Sequence, residues 1–288
     1  MRPALKVLLM LPFPKAHWYV GAFLVLTFAA FMPSYFAVLP SAPWVHHLHG
    51  ITATLWIVLI MTQNWSAHRR RWKLHALSGM ASMALVPVFT IGGLLVTQNT
   101  LLKDSAFKTM FGQALSAADF LVSAAFVLFY TLALRHRRHT AVHARYMLAT
   151  VILLLGPSLA RFFAGYVPGF LVRSLETLPK FGDALDASFV VASAICLMLI
   201  IRDYRHGQPI LPFFSALLAT IGIVVAYYGV GYTEAYASFA AGFAALPAWQ
   251  IAVFAWITST AAVVWAWRSP VSAQPRQVGE AATATQKV

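Results

Sequence analysis

Eight long apolar stretches occupy most of the 288-residue chain, and nearly all of its basic residues lie in the segments separating alternate pairs of them. About 20 apolar residues in a helix cross the ~30 Å hydrocarbon core of a bilayer. The pattern therefore restricts the chain to a polytopic membrane bundle. The stretches are residues 17–39, 46–67, 74–98, 114–134, 143–163, 184–202, 211–232 and 248–267. Their apolar runs are continuous rather than alternating, which argues against a barrel built from strands of about 10 residues. Apolar residues make up 60% of the sequence and charged residues 10%, with a mean hydropathy of +0.72. No soluble domain of this size needs that much apolar surface. The expected fold class is all-α: an eight-span transmembrane helix bundle over residues 17–268. A cytoplasmic or interfacial arm (1–16) precedes it, and a disordered cytoplasmic tail (269–288) comes after it.

Charge sets the expected orientation. With the N-terminus in the cytoplasm, all but five of the 21 basic residues fall on the inner side. The exceptions are Lys103, Lys108, Arg161, Arg173 and Lys180, and the outer side also carries six of the eight acids, leaving Asp203 and Glu280 inside. This is the positive-inside bias, and it places both termini of an eight-span bundle in the cytoplasm. It also accounts for the net charge of +13. Basic residues placed by topology, some of them near anionic headgroups, do not call for a nucleic-acid partner. The first residues imitate a signal peptide, but Pro12 and Pro14 end a short apolar run and no small-residue cleavage site comes after it, so the arm reads as retained. A single cysteine, Cys196, excludes an intrachain disulfide and reads as a small buried hydrophobe.

Histidine carries most of the chemistry on offer. Seven of the ten histidines group as His46, His47 and His49 at the outer start of span two, His68 and His75 around the loop into span three, and His139 and His143 before span five. At helical spacing His46, His49, Trp56 and Gln63 share one stripe of span two, which therefore faces protein or water more readily than lipid. His46 and His47, next to Trp44, also fit an interfacial aromatic belt. In span five, His143 and Arg161 are 18 residues apart, five full turns and about 27 Å on one face. Arg161 comes after an apolar run and needs a partner or water. Asp119 in span four, at similar depth, is the expected ion-pair partner.

His75 and His143 begin two helices that run in the same direction, so their imidazoles lie at matching depth. Two histidines at one level on neighbouring helices are what a six-coordinate haem b requires. Arg69, Arg70, Arg71, Lys73, Arg138 and Arg145 are then candidates to neutralise its propionates. The bland reading is that both histidines cap helix starts at the interface. The two loops share a form, a basic cluster ending in histidine before an apolar helix, which is compatible with a weak duplication. Desaturase-type histidine motifs, nucleophile elbows and nucleotide-binding loops are absent from the sequence. Residues 165–183 make a long loop with two prolines and are expected to lie over the outer end or along the interface.

His47, His49 and Gly50, then His75 and Gly79, then His143, Arg145, Tyr146, Met147, Gly156, Pro157 and Arg161 resemble the pattern of a family of uncharacterised polytopic bacterial membrane proteins. That resemblance covers roughly residues 46–163 and implies an inner-membrane location. A looser likeness is to cytochrome b561-type membrane cytochromes, which hold haem between histidines on adjacent helices. The chain departs from that pattern in lacking a second matched histidine pair in the outer half. These residues support two functional readings. In one, a redox protein binds haem b, or a metal, through His75 and His143, with His49 at an outer site and a redox partner. In the other, a transporter or small-molecule-binding protein has Asp119, Arg161, His49 and Gln63 lining a polar site.

Overall fold

A computed structural model of the chain describes residues 11–269, and in it the apolar stretches are helices packed side by side. Among the described residues ten α-helices occur in order: α1 Ala16–Phe31, α2 Trp44–His68, α3 Trp72–Leu102, α4 Gln113–Arg135, α5 Thr140–Leu153, α6 Leu155–Tyr166, α7 Lys180–Arg205, α8 Leu211–Val225, α9 Glu234–Ala245 and α10 Ala248–Arg268. No strand occurs among the described residues, so the fold is an all-α bundle. Among the described residues seven helical segments are long and apolar enough to cross a membrane, α5 and α6 counting together as Thr140–Tyr166. The chain is therefore a multi-pass integral membrane protein. Expectations for residues 1–10 and for the tail from 270 onward lie outside the described residues.

Proline marks many of the boundaries. Pro43, Pro179 and Pro247 stand immediately before α2, α7 and α10, and Pro212 sits in the first turn of α8. A missing N–H costs nothing in a helix's first turn, where that group has no intrahelical acceptor. The break between α5 and α6 is also a proline effect. Pro157 cannot donate to the Leu153 carbonyl, and Leu154 leaves regular helix at φ −83° and ψ −9°.

The first expected span differs from the observed element. Residues 17–39 do not form one helix: α1 stops at Phe31 after 16 residues, about 24 Å. Pro33 and Pro40 interrupt the segment beyond it, and a short 3-10 helix, Phe36–Ser41, leads on to α2. Helix α9, in the connection between α8 and α10, is a second departure, since hydropathy predicts neither a span nor a helix there. Residues 165–183 fold back on the end of α6: Val172 N–H donates to the Ala164 carbonyl, Arg173 to that of Gly165, and Phe163 stacks on Phe170.

Helix α4 stands at the centre, packed against α3, α5, α8 and α10, while α2 lies between α1 and α3, and α6 between α1 and α7. The middle of the bundle is aromatic. Trp56 is fully buried, meets Phe126 and Tyr130 edge-on, and donates its indole N–H to Thr150 at 3.1 Å. Tyr130 in turn bonds Ser82 at 2.7 Å. Cys196 is buried, as its type predicts.

Candidate functional site

The chemistry-bearing residues separate into two groups at opposite ends of the bundle. The first lies where α2 and α4 end and α3 and α5 begin. His75, one turn into α3, has its Nδ1 at 3.2 Å from the backbone carbonyl of Gln63 on α2. His143, one turn into α5, has its Nδ1 at 2.8 Å from the backbone carbonyl of Ala133 on α4. A carbonyl only accepts, so both rings carry their proton on Nδ1 and present the Nε2 lone pair. Each histidine thus reaches back across its loop to the helix before it, a device repeated in the two loops with similar sequence. The two rings lie within electrostatic range of one another.

Gln63 does more than accept from His75. Its side-chain amide donates to the His75 carbonyl at 2.8 Å and to Ser78 Oγ at 2.7 Å. The expectation that Gln63 lines an outer polar site with Asp119 and Arg161 is therefore corrected. It lies some four turns further along α2 than His49, at the other end of the bundle, and its hydrogen bonds are committed there.

Arg145 is also reassigned. It is not available to a propionate, because its Nε and Nη2 donate to Asp203 of α7 at 2.7 and 2.9 Å, and both side chains are 1% exposed. Its Nη1 donates to the Ala141 carbonyl at 2.8 Å. Sequence reasoning overlooked Asp203, although the signal was present, since it is the lone described acid on the basic side. Arg137 caps the end of α10 through the Trp267 carbonyl, and Arg71 lies over Trp65. Arg69, Arg70, Lys73 and Arg138 stay exposed at this end.

The second group lies in the other half of the bundle. His49 of α2 stacks on Phe89 at 5.2 Å, and the close approach of α3 there depends on Gly92, where a Cβ would meet His49 Cα at 3.1 Å. Nδ1 of His49 and Nδ1 of His46 are buried without a hydrogen-bond partner. His47 is separate: Tyr35 bonds its Nδ1 at 2.7 Å, with the phenol pushed up by burial and so kept as the donor. Asp119 accepts from Thr97 Oγ1 at 3.2 Å. Arg161 donates to the Pro157 carbonyl at 3.1 Å and lies 4.7 Å from the Phe31 ring centroid.

The expected Asp119–Arg161 ion pair does not form as a contact. The ion pairs within 4 Å among the described residues involve Asp203 only. Asp119 is restrained by Thr97, and Arg161 by its own helix and Phe31. The two charges nevertheless fall within electrostatic range of each other, as do His49 and Arg161.

Among the described residues no group of three His, Cys, Asp or Glu side chains is placed to hold a metal ion. A metal centre ligated by protein alone is therefore not supported. A haem asks less of the chain, because two histidines would suffice to hold it. His75 and His143 meet that requirement in tautomer and in the backbone bond that orients each ring. Comparison of the chain with protein-family models, with curated proteins and with solved structures gives no match.

Proposed function

We propose that this integral membrane protein resides in the bacterial inner membrane with its termini cytoplasmic, and binds haem b between His75 and His143 in a redox role. The observation that carries the reading is the pair of imidazoles on α3 and α5, each with Nδ1–H held by a carbonyl of the preceding helix and Nε2 left as a ligand. When bound, haem b would be held by His75 and His143 and would supply a one-electron iron couple. The chain's own part is positioning. The Gln63 and Ala133 carbonyls orient the rings and raise their basicity, and the Gln63 amide fixes the first turn of α3 through His75 and Ser78. Arg69, Arg70, Lys73 and Arg138 supply positive charge for propionates or for a redox partner's acidic face.

An absorption spectrum, oxidised and dithionite-reduced, on protein purified from haem-replete cells tests this directly. The expected result is a Soret band that shifts on reduction, at about one haem per chain. It should be lost in His75→Ala and in His143→Ala but kept in His68→Ala and His206→Ala, whose Nδ1 atoms bond carbonyls of their own helices. A flat spectrum from folded protein refutes the reading.

A further inference from the structure

In the half of the bundle away from His75 and His143, Arg161 of α6 lies within electrostatic range of His46 and His49 of α2 and of Asp119 of α4. Each of these side chains has unused hydrogen-bonding capacity. The Arg161 guanidinium has the Pro157 carbonyl as its only acceptor among the described residues. It has five N–H donors in a planar fork, so most of that fork is free. Among the described residues Asp119 accepts only from Thr97. Nδ1 of His46 and Nδ1 of His49 are enclosed and unpartnered. His49 Nδ1 and Ser123 Oγ both lie within 4 Å of one point beside Gly93, so Ser123, one turn from Asp119, faces the same space.

Charges left like this inside a membrane bundle are costly unless something lies between them. The two charges do not meet directly: Phe31 and Pro157 engage Arg161 while Thr97 engages Asp119. The balance of the cluster also indicates what would bridge it. Arg161, with Lys103 within electrostatic range of His46, gives an excess of positive charge on one side. A planar guanidinium fork matches an oxyanion in two-point contact. Asp119, on the other side, needs a donor.

We propose that His46, His49, Asp119 and Arg161 form a binding site for an oxyanion that carries a hydroxyl or ammonium donor. The oxyanion pairs with Arg161 and the imidazoles, and the donor reaches Asp119. Two sources have this chemistry: a free hydroxy- or amino-carboxylate, and an ethanolamine phospholipid headgroup with its phosphate and ammonium. The site does not depend on haem, since none of the four residues contacts His75 or His143.

The test uses full-length protein in detergent. Its thermal midpoint is followed with L-lactate and glycine as donor-bearing probes, and with acetate as the donor-free control. In a parallel arm, nanodiscs of phosphatidylethanolamine are compared with nanodiscs of phosphatidylcholine, whose quaternary ammonium cannot donate. Near saturation the midpoint should rise by about 5 °C. A response to lactate or glycine above that to acetate supports a free ligand, and a preference for ethanolamine lipid over choline lipid supports a headgroup. In either case Arg161→Lys should weaken binding at least ~10-fold by losing the two-point contact. Asp119→Ala, which leaves no acceptor, should erase the advantage of the donor-bearing probe while leaving the protein folded. Equal responses to donor-bearing and donor-free probes, or no response in either arm, would leave only a hydrated charge pair and overturn the proposal. Absorbance plays no part in the readout, so failure here and failure of the haem reading remain distinct.

Discussion

Replacing Asp203 by alanine removes the sole carboxylate touching a guanidinium that is 1% exposed. In the intact protein Arg145 makes two charge-assisted hydrogen bonds to Asp203, one to the Ala141 carbonyl and a longer one of 3.4 Å to Gln208. In Asp203→Ala only the last two remain, and a positive charge stays buried without its counter-ion. Breaking a buried pair from one side costs about 3–5 kcal/mol. The neighbouring Arg202–Asp203 contact adds little, because Arg202 is 45% exposed and the contact is 3.3 Å long. At about 2–4 °C per kcal/mol for a chain of this size, the thermal midpoint should fall by roughly 6–20 °C. Asp203→Asn keeps an acceptor and should lose less.

The informative comparison is the double replacement Arg145→Met with Asp203→Leu, which removes the charges together. It should recover most of the loss, since apolar substitutes for a whole buried pair are often neutral or better. Denaturant titration in mixed micelles, with thermal scans in parallel, supplies the measurement. A cost below about 1 kcal/mol for Asp203→Ala, or a double variant no better than the single, would refute the argument that the charge is truly desolvated. The pair also ties the first turn of α5, which carries His143, to α7. A haem-loaded Asp203→Ala protein should therefore lose haem faster than wild type.

Packing and titration set the other expected outcomes. Gly231→Ala puts a Cβ 2.5 Å from Ala114 Cα and 2.8 Å from the Tyr227 carbonyl, so it should cost upward of ~2 kcal/mol. Gly242→Ala on α9, with nothing within 4 Å, should be neutral or stabilising by up to ~1 kcal/mol in the same melt. Trp56→Ala should cost about 3–5 kcal/mol, and Trp56→Phe much less, since it forfeits mainly the bond to Thr150. Equal costs would show that the hydrogen bond, not the packing, dominates. Burial, with His139 and Arg135 nearby, holds His136 below the ordinary histidine value. The folded state then binds fewer protons than the unfolded one, so stability falls as pH drops below about 6.5. The thermal midpoint of His136→Gln should fall less steeply between pH 7.5 and 5.5 than that of wild type.

Hydropathy and charge act one residue at a time, which is why the linear sequence alone determined the class of the molecule, most of its crossing segments and the expected sidedness. Depth along each helix was legible for the same reason: counting at 1.5 Å per residue puts His75 and His143 at one level, and Asp119 and Arg161 at another. The early end of α1 was legible in principle too, because Pro33 cannot continue the helix's hydrogen bonds. What counting cannot supply is which helices become neighbours and how each is turned about its axis. Lipid is as apolar as the helix faces, so that choice rests on close packing and a few polar contacts spread over the whole bundle. Only the tertiary structure therefore decided that Arg145 meets Asp203, that the Gln63 amide meets the His75 carbonyl and Ser78, and that Thr97 and Phe31 hold Asp119 and Arg161 apart. Equal depth made that last pair look like a salt bridge, and orientation about the helix axis left a gap between them.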